Sequence, residues 1–247
     1  MEQEQLETYS EQSSTQIELI QCRYQFGLNK VEMMLPQNQK VTWIDIGSNL
    51  GFGISEISDK KGMIASDREY KYVKNLNDKS VPAIVLEAQN LPFSSKSCNV
   101  VSCFETIEHV PMVEVSKMLG EISRVLKDDG IFLISTPNKE ANGKAKMSTD
   151  HKQEFTSAEF HMLLKSFGFN IEEEYGQSFI KENNILHQAF RSLRENFLLR
   201  NIYYKLPPFI IKGVRNTSLN AFGKGEVRRK NKGEIERLMY FVCTKLA

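Results

Sequence analysis

The sequence has few cysteines, and none of them stands in a pattern that binds metal or builds a disulfide framework. The four cysteines lie at Cys22, Cys98, Cys103 and Cys243, with no Cys-x-x-Cys pair and no zinc-type spacing to histidine. At this low density in 247 residues, a disulfide-stabilised secreted fold is not expected, and a reducing compartment is the default.

Long apolar runs and an excess of one charge are also missing. No stretch reaches the roughly 20 apolar residues that a membrane-spanning helix needs. The acidic, polar opening MEQEQLETYSEQSSTQ lacks the apolar core of a signal peptide. With 32 basic and 31 acidic residues, the whole chain is not a polycation built for nucleic acid. We therefore expect a soluble, cytoplasmic protein with one substantial core, or with one core plus a small appendage.

The chain does contain a regular alternation of short apolar runs and helical stretches. A first helix is predicted over 16–35. Strands are then predicted over 41–46, 62–66, 81–86, 99–104, 131–135, 170–175 and 239–246, and helices over 69–76, 113–126 and 156–167, with a helix start at 54–58 and a turn at 128–130. Several strands are apolar on both faces. This pattern predicts an α/β fold, a Rossmann-like, mostly parallel sheet with helices on both faces.

We predict three regions: an N-terminal helical cap over 1–38, a main domain over 39–175 and 238–247, and a basic insert over 176–237. Residues 176–238 contain thirteen Lys/Arg and five Asp/Glu. An apolar stripe at helical spacing is formed by Leu186, Phe190, Leu193 and Phe197. One hypothesis is a lid that packs on the core with its charges in water. The other is a cover for the acceptor pocket that attracts an anionic substrate. Peripheral membrane contact and single-stranded RNA binding are weaker extensions.

The glycine-rich segment Val41–Gly53, VTWIDIGSNLGFG, joins the first predicted strand to a helix. Glycines in such a turn let the backbone approach a ligand and present free amides at a helix N-terminus. Asp45 precedes the first glycine, where its carboxylate suits an ammonium group better than a pyrophosphate. Asp67 ends the next strand, where it can accept hydrogen bonds from ribose hydroxyls.

The order of motifs resembles one known family. DIGSNLGFG, then ASD, EAQNLPF, SCFETIEHVP and EISRVLKDDGIFLISTPN are similar to class I S-adenosylmethionine-dependent methyltransferases, and more narrowly to the small-molecule and glycan branch that includes ubiquinone-type O-methyltransferases. The resemblance covers about Arg23 to Gly168. It implies a seven-stranded sheet whose last strand is antiparallel. It also implies a cofactor site formed by Arg23, Asp45, Gly47, Ser48, Asn49, Gly51, Asp67, Glu87, Ala88 and Phe104.

Three positions depart from the family pattern. Asn49 replaces the middle glycine of the turn, Asn99 replaces an aspartate at the start of the fourth strand, and Glu87 replaces an aspartate. Asparagine tolerates the left-handed conformation better than most residues, so the turn is expected to survive. A binding protein that keeps the fold without catalysis is the alternative that these departures suggest.

The turn FETIEHV after the fourth strand carries the candidate catalytic residues Glu105, Glu108 and His109, and His151 follows the fifth strand. If this turn is helical, the first three side chains share one face. Three hypotheses remain open. The acids stabilise a helix start while His109 packs locally; His109 or His151 is a general base, with Glu105 beside the reaction centre; or all four residues bind Mg²⁺, Mn²⁺ or Zn²⁺.

The sequence therefore predicts a methyltransferase that uses S-adenosylmethionine and acts on a hydroxyl of a small molecule or of a glycan- or lipid-linked intermediate. An RNA 2′-O-methyltransferase is the alternative within the same class, although nucleic acid is the less favoured partner. Oligomeric state and acceptor identity have no signal in the sequence.

Overall fold

The computed structural model describes residues 14–36, 39–54, 57, 62–142, 150–181, 226–231 and 234–246. Its strands are β1 Trp43–Ile46, β2 Met63–Asp67, β3 Ala83–Val85, β4 Cys98–Phe104, β5 Leu126–Pro137, β6 Phe169–Lys181 and β7 Glu234–Lys245. Its helices are α1 Ser14–Met34, α2 Tyr70–Asp78, α3 Met112–Val125, α4 Lys139–Asn142 and α5 Ser157–Ser166. A single 3₁₀ turn, Ile107–His109, follows β4 among these described elements.

The seven strands form one sheet in the order β3-β2-β1-β4-β5-β7-β6. All neighbouring pairs are parallel except those of β7, which is antiparallel to both β5 and β6. This confirms the predicted sheet with an antiparallel last strand. Because β1 pairs with β2 on one side and β4 on the other, the strand order reverses at β1. Open α/β sheets bind ligands outside the carboxyl ends of the strands at such a point.

Apolar side chains alternate between the two faces of the sheet and build a core on each. On one face, Tyr24 and Leu28 of α1 pack with Trp43, which is fully buried. On the other face, Met118 of α3 and Phe160 of α5 pack against β4 and β5. All seven residues of β4 are buried, because helices cover this central strand on both sides.

The sequence predicts these strands and helices except α4, with errors at their ends, and two further details differ. The predicted turn at 128–130 lies inside β5, where the register to β4 shifts between Cys98 and Val100. The extra β5 residues therefore form an irregularity at the start of a long strand. Residues 55–56 and 58–61 are not described, so the helix start at 54–58 remains a prediction.

Strands β6 and β7 also run beyond their predicted ends, because Phe179 pairs with Glu236 and Lys181 pairs with Glu234. Both ends of the predicted insert therefore belong to the sheet. The apolar stripe from Leu186 to Phe197 lies outside the described residues, and the division into three regions remains a prediction. Within the described ranges, no helix has the length and apolar character that crossing a bilayer requires.

Helix α5 begins with a capping box formed by Thr156 and Glu159. Thr156 Oγ1 accepts a hydrogen bond from the Glu159 amide at 3.2 Å, and Glu159 Oε2 accepts one from the Thr156 amide at 2.8 Å. Two amide groups that the first helical turn leaves unpaired are thereby satisfied.

We expect Thr156→Ala to lower the free energy of unfolding by about 1 kcal/mol, because the amide of Glu159 loses its acceptor. Urea denaturation followed by circular dichroism measures this change. Thr156→Ser is the matched control, since it keeps the hydroxyl and should stay near the wild-type value. Equal stability of the alanine variant and the wild type would contradict the capping role.

Candidate active site

The glycine-rich turn follows β1 at the edge where the strand order reverses. Gly47 and Gly51 have φ angles of +79° and +71°. A Cβ at Gly47 would lie 2.3 Å from Thr106 Oγ1, and one at Gly51 would lie 2.2 Å from Leu76 Cδ2. Both glycines are thus required by close packing against neighbouring parts of the chain as well as by their backbone conformation.

The amides of this turn are hydrogen-bonded within the protein. The N–H groups of Gly47 and Ser48 donate to the Ser66 carbonyl at 2.9 and 2.8 Å, and the Gly51 amide donates to the Ser48 carbonyl at 2.9 Å. The Asn49 amide donates to Asp67 Oδ2 at 3.0 Å. The expectation that the glycines present free amides to a ligand is therefore wrong for Gly47 and Gly51, because a carbonyl at the end of β2 accepts the first amide and a carbonyl within the turn accepts the second.

Asn49 adopts the left-handed conformation that was predicted for it, with φ at +49°. Its side-chain Oδ1 accepts a hydrogen bond from the Leu50 amide at 2.7 Å. A short polar side chain that bonds locally stabilises this conformation. The turn therefore keeps its shape without the middle glycine of the family pattern. The second departure, Asn99, is remote from the site, since it bonds Thr42 and Lys127 at the amino end of β4.

Asp45 is completely buried, and its carboxylate accepts hydrogen bonds from three hydroxyl groups. Tyr24 Oη and Ser48 Oγ donate to Oδ2 at 2.8 and 2.6 Å, and Ser102 Oγ donates to Oδ1 at 2.5 Å. Burial raises the pKa of Asp45 to about 6, although the three hydroxyl groups oppose the rise. Contact between Asp45 and a ligand's ammonium group would require this network to open.

The predicted ribose residue ends β2, and two further predicted cofactor residues follow β3. Asp67 is partly exposed, and its Oδ1 accepts a hydrogen bond from the Glu69 amide at 2.9 Å. Glu87 is exposed and Ala88 is buried in the loop after β3. Helix α3 holds this loop in place, because Leu91 N donates to Glu121 Oε2 at 2.8 Å. Arg124 holds the same loop from the next helical turn through the carbonyl groups of residues 91 and 93.

Glu105 directly follows β4 and adopts a positive φ of +49°. Its Oε1 accepts a hydrogen bond from Ser135 Oγ at 3.2 Å and lies 3.8 Å from Arg23 Nη1. The Arg23 guanidinium is largely buried, and its Nε donates to Gln177 Oε1 at 3.2 Å. Burial raises the pKa of Glu105, and the positive charge of Arg23 opposes this rise. Arg23 of α1 thus contacts residues that follow β4 and lie within β6. Phe104, the last residue of β4, packs edge to face against Tyr24, with ring centroids 4.9 Å apart.

Glu108 faces a different direction from Glu105. Its side chain is buried, and Oε2 accepts a hydrogen bond from Thr136 Oγ1 at 3.2 Å. Burial and the neighbouring carboxyl group of Glu105 raise the pKa of Glu108 well above its usual range. The condition under which Glu105, Glu108 and His109 would share one helix face is not met, because the 3₁₀ turn begins only at Ile107 and Glu105 has left-handed backbone.

The two predicted histidines lie together. The rings of His109 and His151 meet edge to face, with centroids 5.1 Å apart. His109 Nδ1 lies 3.1 Å from the Asp150 carbonyl oxygen, and burial lowers the pKa of His109. One ligand atom each from Glu108, His109 and His151 lie within 4.8 Å of one another, a spacing that could hold a metal ion. Glu105 is not part of this group, since its side chain points to Ser135 and Arg23.

Several site residues escape sequence-based prediction. Ser102 and Gln177 reach Asp45 and Arg23 from distant strands, and nothing in their local sequence marks them. Glu154 is different, because it stands three residues after His151 and its Oε1 lies 2.9 Å from His151 Nδ1. The spacing of three residues between a histidine and an acid could have indicated the contact between His151 and Glu154.

The raised pKa of Asp45 predicts a pH-dependent stability. The folded state holds this proton up to about pH 6 and the unfolded state only up to the ordinary pKa of 3.8, so stability falls as pH rises between these values. The whole loss amounts to about 3 kcal/mol. In urea denaturation, the free energy of unfolding of the wild type minus that of Asp45→Asn should therefore fall by about 2 to 3 kcal/mol from pH 4 to pH 7. A difference that stays constant with pH would contradict the burial of the charge.

The family model described as a methyltransferase domain matches residues 20–174 of the chain. A Mycolicibacterium smegmatis protein named a probable S-adenosylmethionine-dependent methyltransferase is 29% identical over 140 residues, which cover 54% of this chain and 53% of that protein. A Mycobacterium tuberculosis protein of the same description is 26% identical over 51% of this chain and 47% of its own length. The chain spans about half the length of these curated relatives.

Solved structures share the fold at low sequence identity. An S-adenosylmethionine-dependent methyltransferase from Clostridium acetobutylicum superposes with a TM-score of 0.59 at 9% identity, over 92% of each chain. A Haloferax volcanii protein described as a methyltransferase, solved with the activator Trm112, gives 0.59 at 17% identity over 91% of this chain and 90% of that one. The chain belongs to the methyltransferase-domain family and has the fold of class I S-adenosylmethionine-dependent methyltransferases.

Proposed function

We propose that this protein binds S-adenosylmethionine across the carboxyl ends of β1 to β4 and methylates a hydroxyl group of a small molecule or of a glycan- or lipid-linked intermediate. The observation that carries the proposal is the position of the His109–His151 pair. The pair lies after β4 and β5, at the same sheet edge as the glycine-rich turn and Asp67. A base beside a cofactor site is what a hydroxyl acceptor requires.

The cofactor would lie with its ribose at Asp67. Each carboxylate oxygen of Asp67 already accepts one backbone amide, and a carboxylate has further lone pairs for ribose hydroxyls. The adenine would lie beside Ala88, with its amino group at Glu87. Because the turn amides are used internally, carbonyl groups of Gly47 to Gly51 are the groups left to accept the ammonium of the methionine end.

The methionine carboxylate would pair with Arg23, whose guanidinium is largely buried and stands beside Glu105. Asp45 then supports the site indirectly, by holding Ser48 and Tyr24 in place. The carboxyl group of Glu105 and the ring of Phe104 would lie beside the sulfonium, where a negative charge and an aromatic ring both stabilise a cation.

S-adenosylmethionine, when bound, would supply an activated methyl group, and the bond from sulfur to methyl carbon would break as an acceptor oxygen held in line forms the new bond. The products would be S-adenosylhomocysteine and the methylated acceptor, and the hydroxyl proton would pass to a histidine of this chain. Burial lowers the pKa of His109, so that the neutral ring which can accept a proton is present at neutral pH. The main task of the protein is to hold the oxygen and the methyl group in line.

Calorimetric titration with S-adenosylmethionine tests this proposal. We expect Asp67→Ala to weaken binding by about tenfold or more, because ribose hydroxyls lose a charged acceptor. Asn49→Gly is the matched control, since it restores the family glycine at a positive φ and should bind within about threefold of wild type. If the wild type does not bind S-adenosylmethionine at high micromolar concentration, the proposal is contradicted, and a protein that keeps the fold without catalysis is the remaining alternative.

A second candidate is a divalent metal that anchors the acceptor oxygen. The ligand atoms of Glu108, His109 and His151 lie within 4.8 Å of one another, and nitrogen and carboxylate ligands suit Zn²⁺ or Mn²⁺. A metal would polarise the acceptor hydroxyl and so assist the loss of its proton. It would also offset the unfavourable burial of the Glu108 charge.

Titration with Mg²⁺, Mn²⁺ and Zn²⁺ separates the two candidates. If a metal belongs to the site, His109→Ala should weaken binding by at least about tenfold, because one of three ligands is lost. His161→Ala is the matched control, because His161 lies elsewhere, against Glu174. If no heat of binding is measured at millimolar metal, the metal hypothesis is rejected and the role of general base remains for the histidines.

The acceptor is proposed to be anionic because positive charge is concentrated in the C-terminal part of the sequence. Among its described residues, Arg229 and Lys230 are exposed, and Lys230 Nζ lies 3.3 Å from Glu236 Oε2. Residues 182–225 carry most of this charge and are not described. An RNA acceptor, peripheral membrane contact and the likeness to ubiquinone-type enzymes therefore remain predictions.

A further inference from the structure

Glu154 contacts one of the two site histidines through a carboxylate that is nearly removed from solvent. Its Oε1 lies 2.9 Å from His151 Nδ1, and its side chain is 4% exposed. An ionised carboxylate can only accept hydrogen bonds, so the nitrogen that faces it must carry the proton. The contact therefore determines which of the two ring nitrogens is the donor.

The backbone around this pair is fixed from two sides. The amides of Lys152 and Gln153 donate to the Glu108 carbonyl at 2.8 and 3.3 Å. The Gln153 side chain donates to the carbonyl groups of Ile107 and Val110 at 3.2 and 2.8 Å. Beyond Glu154, residue 155 bridges to the end of β5. His151 and Glu154 are thus presented by a segment held against both the 3₁₀ turn and the sheet.

The second histidine has the same arrangement with a different partner. His109 Nδ1 lies 3.1 Å from the Asp150 carbonyl oxygen. A carbonyl oxygen has no proton to give, so Nδ1 of His109 is the donor and Nε2 of the neutral ring has a free lone pair. In both histidines the partner of Nδ1 is an oxygen acceptor, so both contacts favour the tautomer with the proton on Nδ1.

We propose that Glu154 is a positioning residue that holds neutral His151 with its proton on Nδ1, so that both site histidines present an unprotonated Nε2. The use of these nitrogens, to take the acceptor's proton or to bind a metal, rests on the proposed function. The tautomer itself does not. The opposite tautomer would place an N–H where a base is needed, which makes the orienting acid as important as the ring.

Long-range ¹H–¹⁵N correlation spectra of the ¹⁵N-labelled full chain test the tautomer directly. Spectra are recorded at the pH at which the ring nitrogen shifts show the neutral form, and His151→Gln identifies the His151 signals. We expect the wild type to show the Nδ1–H form of His151. In Glu154→Ala, the ratio of the Nδ1–H to the Nε2–H form should fall on the order of tenfold, because a charged acceptor is lost.

His161 is an internal control with the opposite geometry. Its Nε2 lies 2.9 Å from Glu174 Oε2, so the Nε2–H form is expected in every sample and should not respond to Glu154→Ala. Glu154→Leu keeps the size of the side chain and replaces the alanine variant if a cavity prevents folding. A wild-type His151 with its proton on Nε2, or an unchanged ratio in the variants, would overturn the assignment. If the titration with S-adenosylmethionine fails, the tautomer assignment is unaffected, because the spectra test it independently.

Discussion

The buried carboxylate of Asp45 is the group through which α1, the glycine-rich turn and β4 are held together. It accepts hydrogen bonds from hydroxyl groups of α1, the glycine-rich turn and β4, and it is completely buried. A charge in this position is costly unless its hydrogen bonds are complete. The three donors therefore have to reach it together, which aligns the N-terminal helix, the turn and the central strand.

The same requirement for complete hydrogen bonding explains the shape of the turn. The amides of Gly47 and Ser48 donate to the Ser66 carbonyl at the end of β2. One carboxylate oxygen of Asp67 accepts a hydrogen bond from the Asn49 amide, and the other accepts one from the Glu69 amide. Asp45 and Asp67, near the ends of neighbouring strands, thus have different roles. Buried Asp45 accepts a hydrogen bond from Ser48 of the turn, and partly exposed Asp67 joins the turn to β2.

The fold could be predicted from the sequence because its signals are local. Strands that are apolar on both faces, such as β4, and amphipathic helices such as α3 are visible as periods in the chain. The motifs that follow the strands also indicate the cofactor class, since the carboxyl ends of parallel strands meet at one edge. Asn49 could be placed in the left-handed region from its chemistry alone.

The details of the site could not be predicted in the same way, because they depend on contacts between distant residues. The partner of Arg23 is Gln177, and the clash that requires Gly47 comes from Thr106. The left-handed backbone at Glu105 separates it from Glu108, which no helical spacing rule anticipates. Burial, which sets the pKa directions of these acids, is a property of the packed molecule rather than of the chain.

The placement of β7 between β5 and β6 fixes where the chain leaves and re-enters the edge of the sheet. Because β6 runs parallel to β5, residue Lys181 emerges at the same edge as Pro137, and β7 starts there at Glu234. This is the edge that also carries the glycine-rich turn and the His109–His151 pair. Just before β7, Val227 is buried in the core and Arg228 pairs with Gly176 of β6. The re-entering chain is thus fastened to the outermost strand of the sheet before it forms β7.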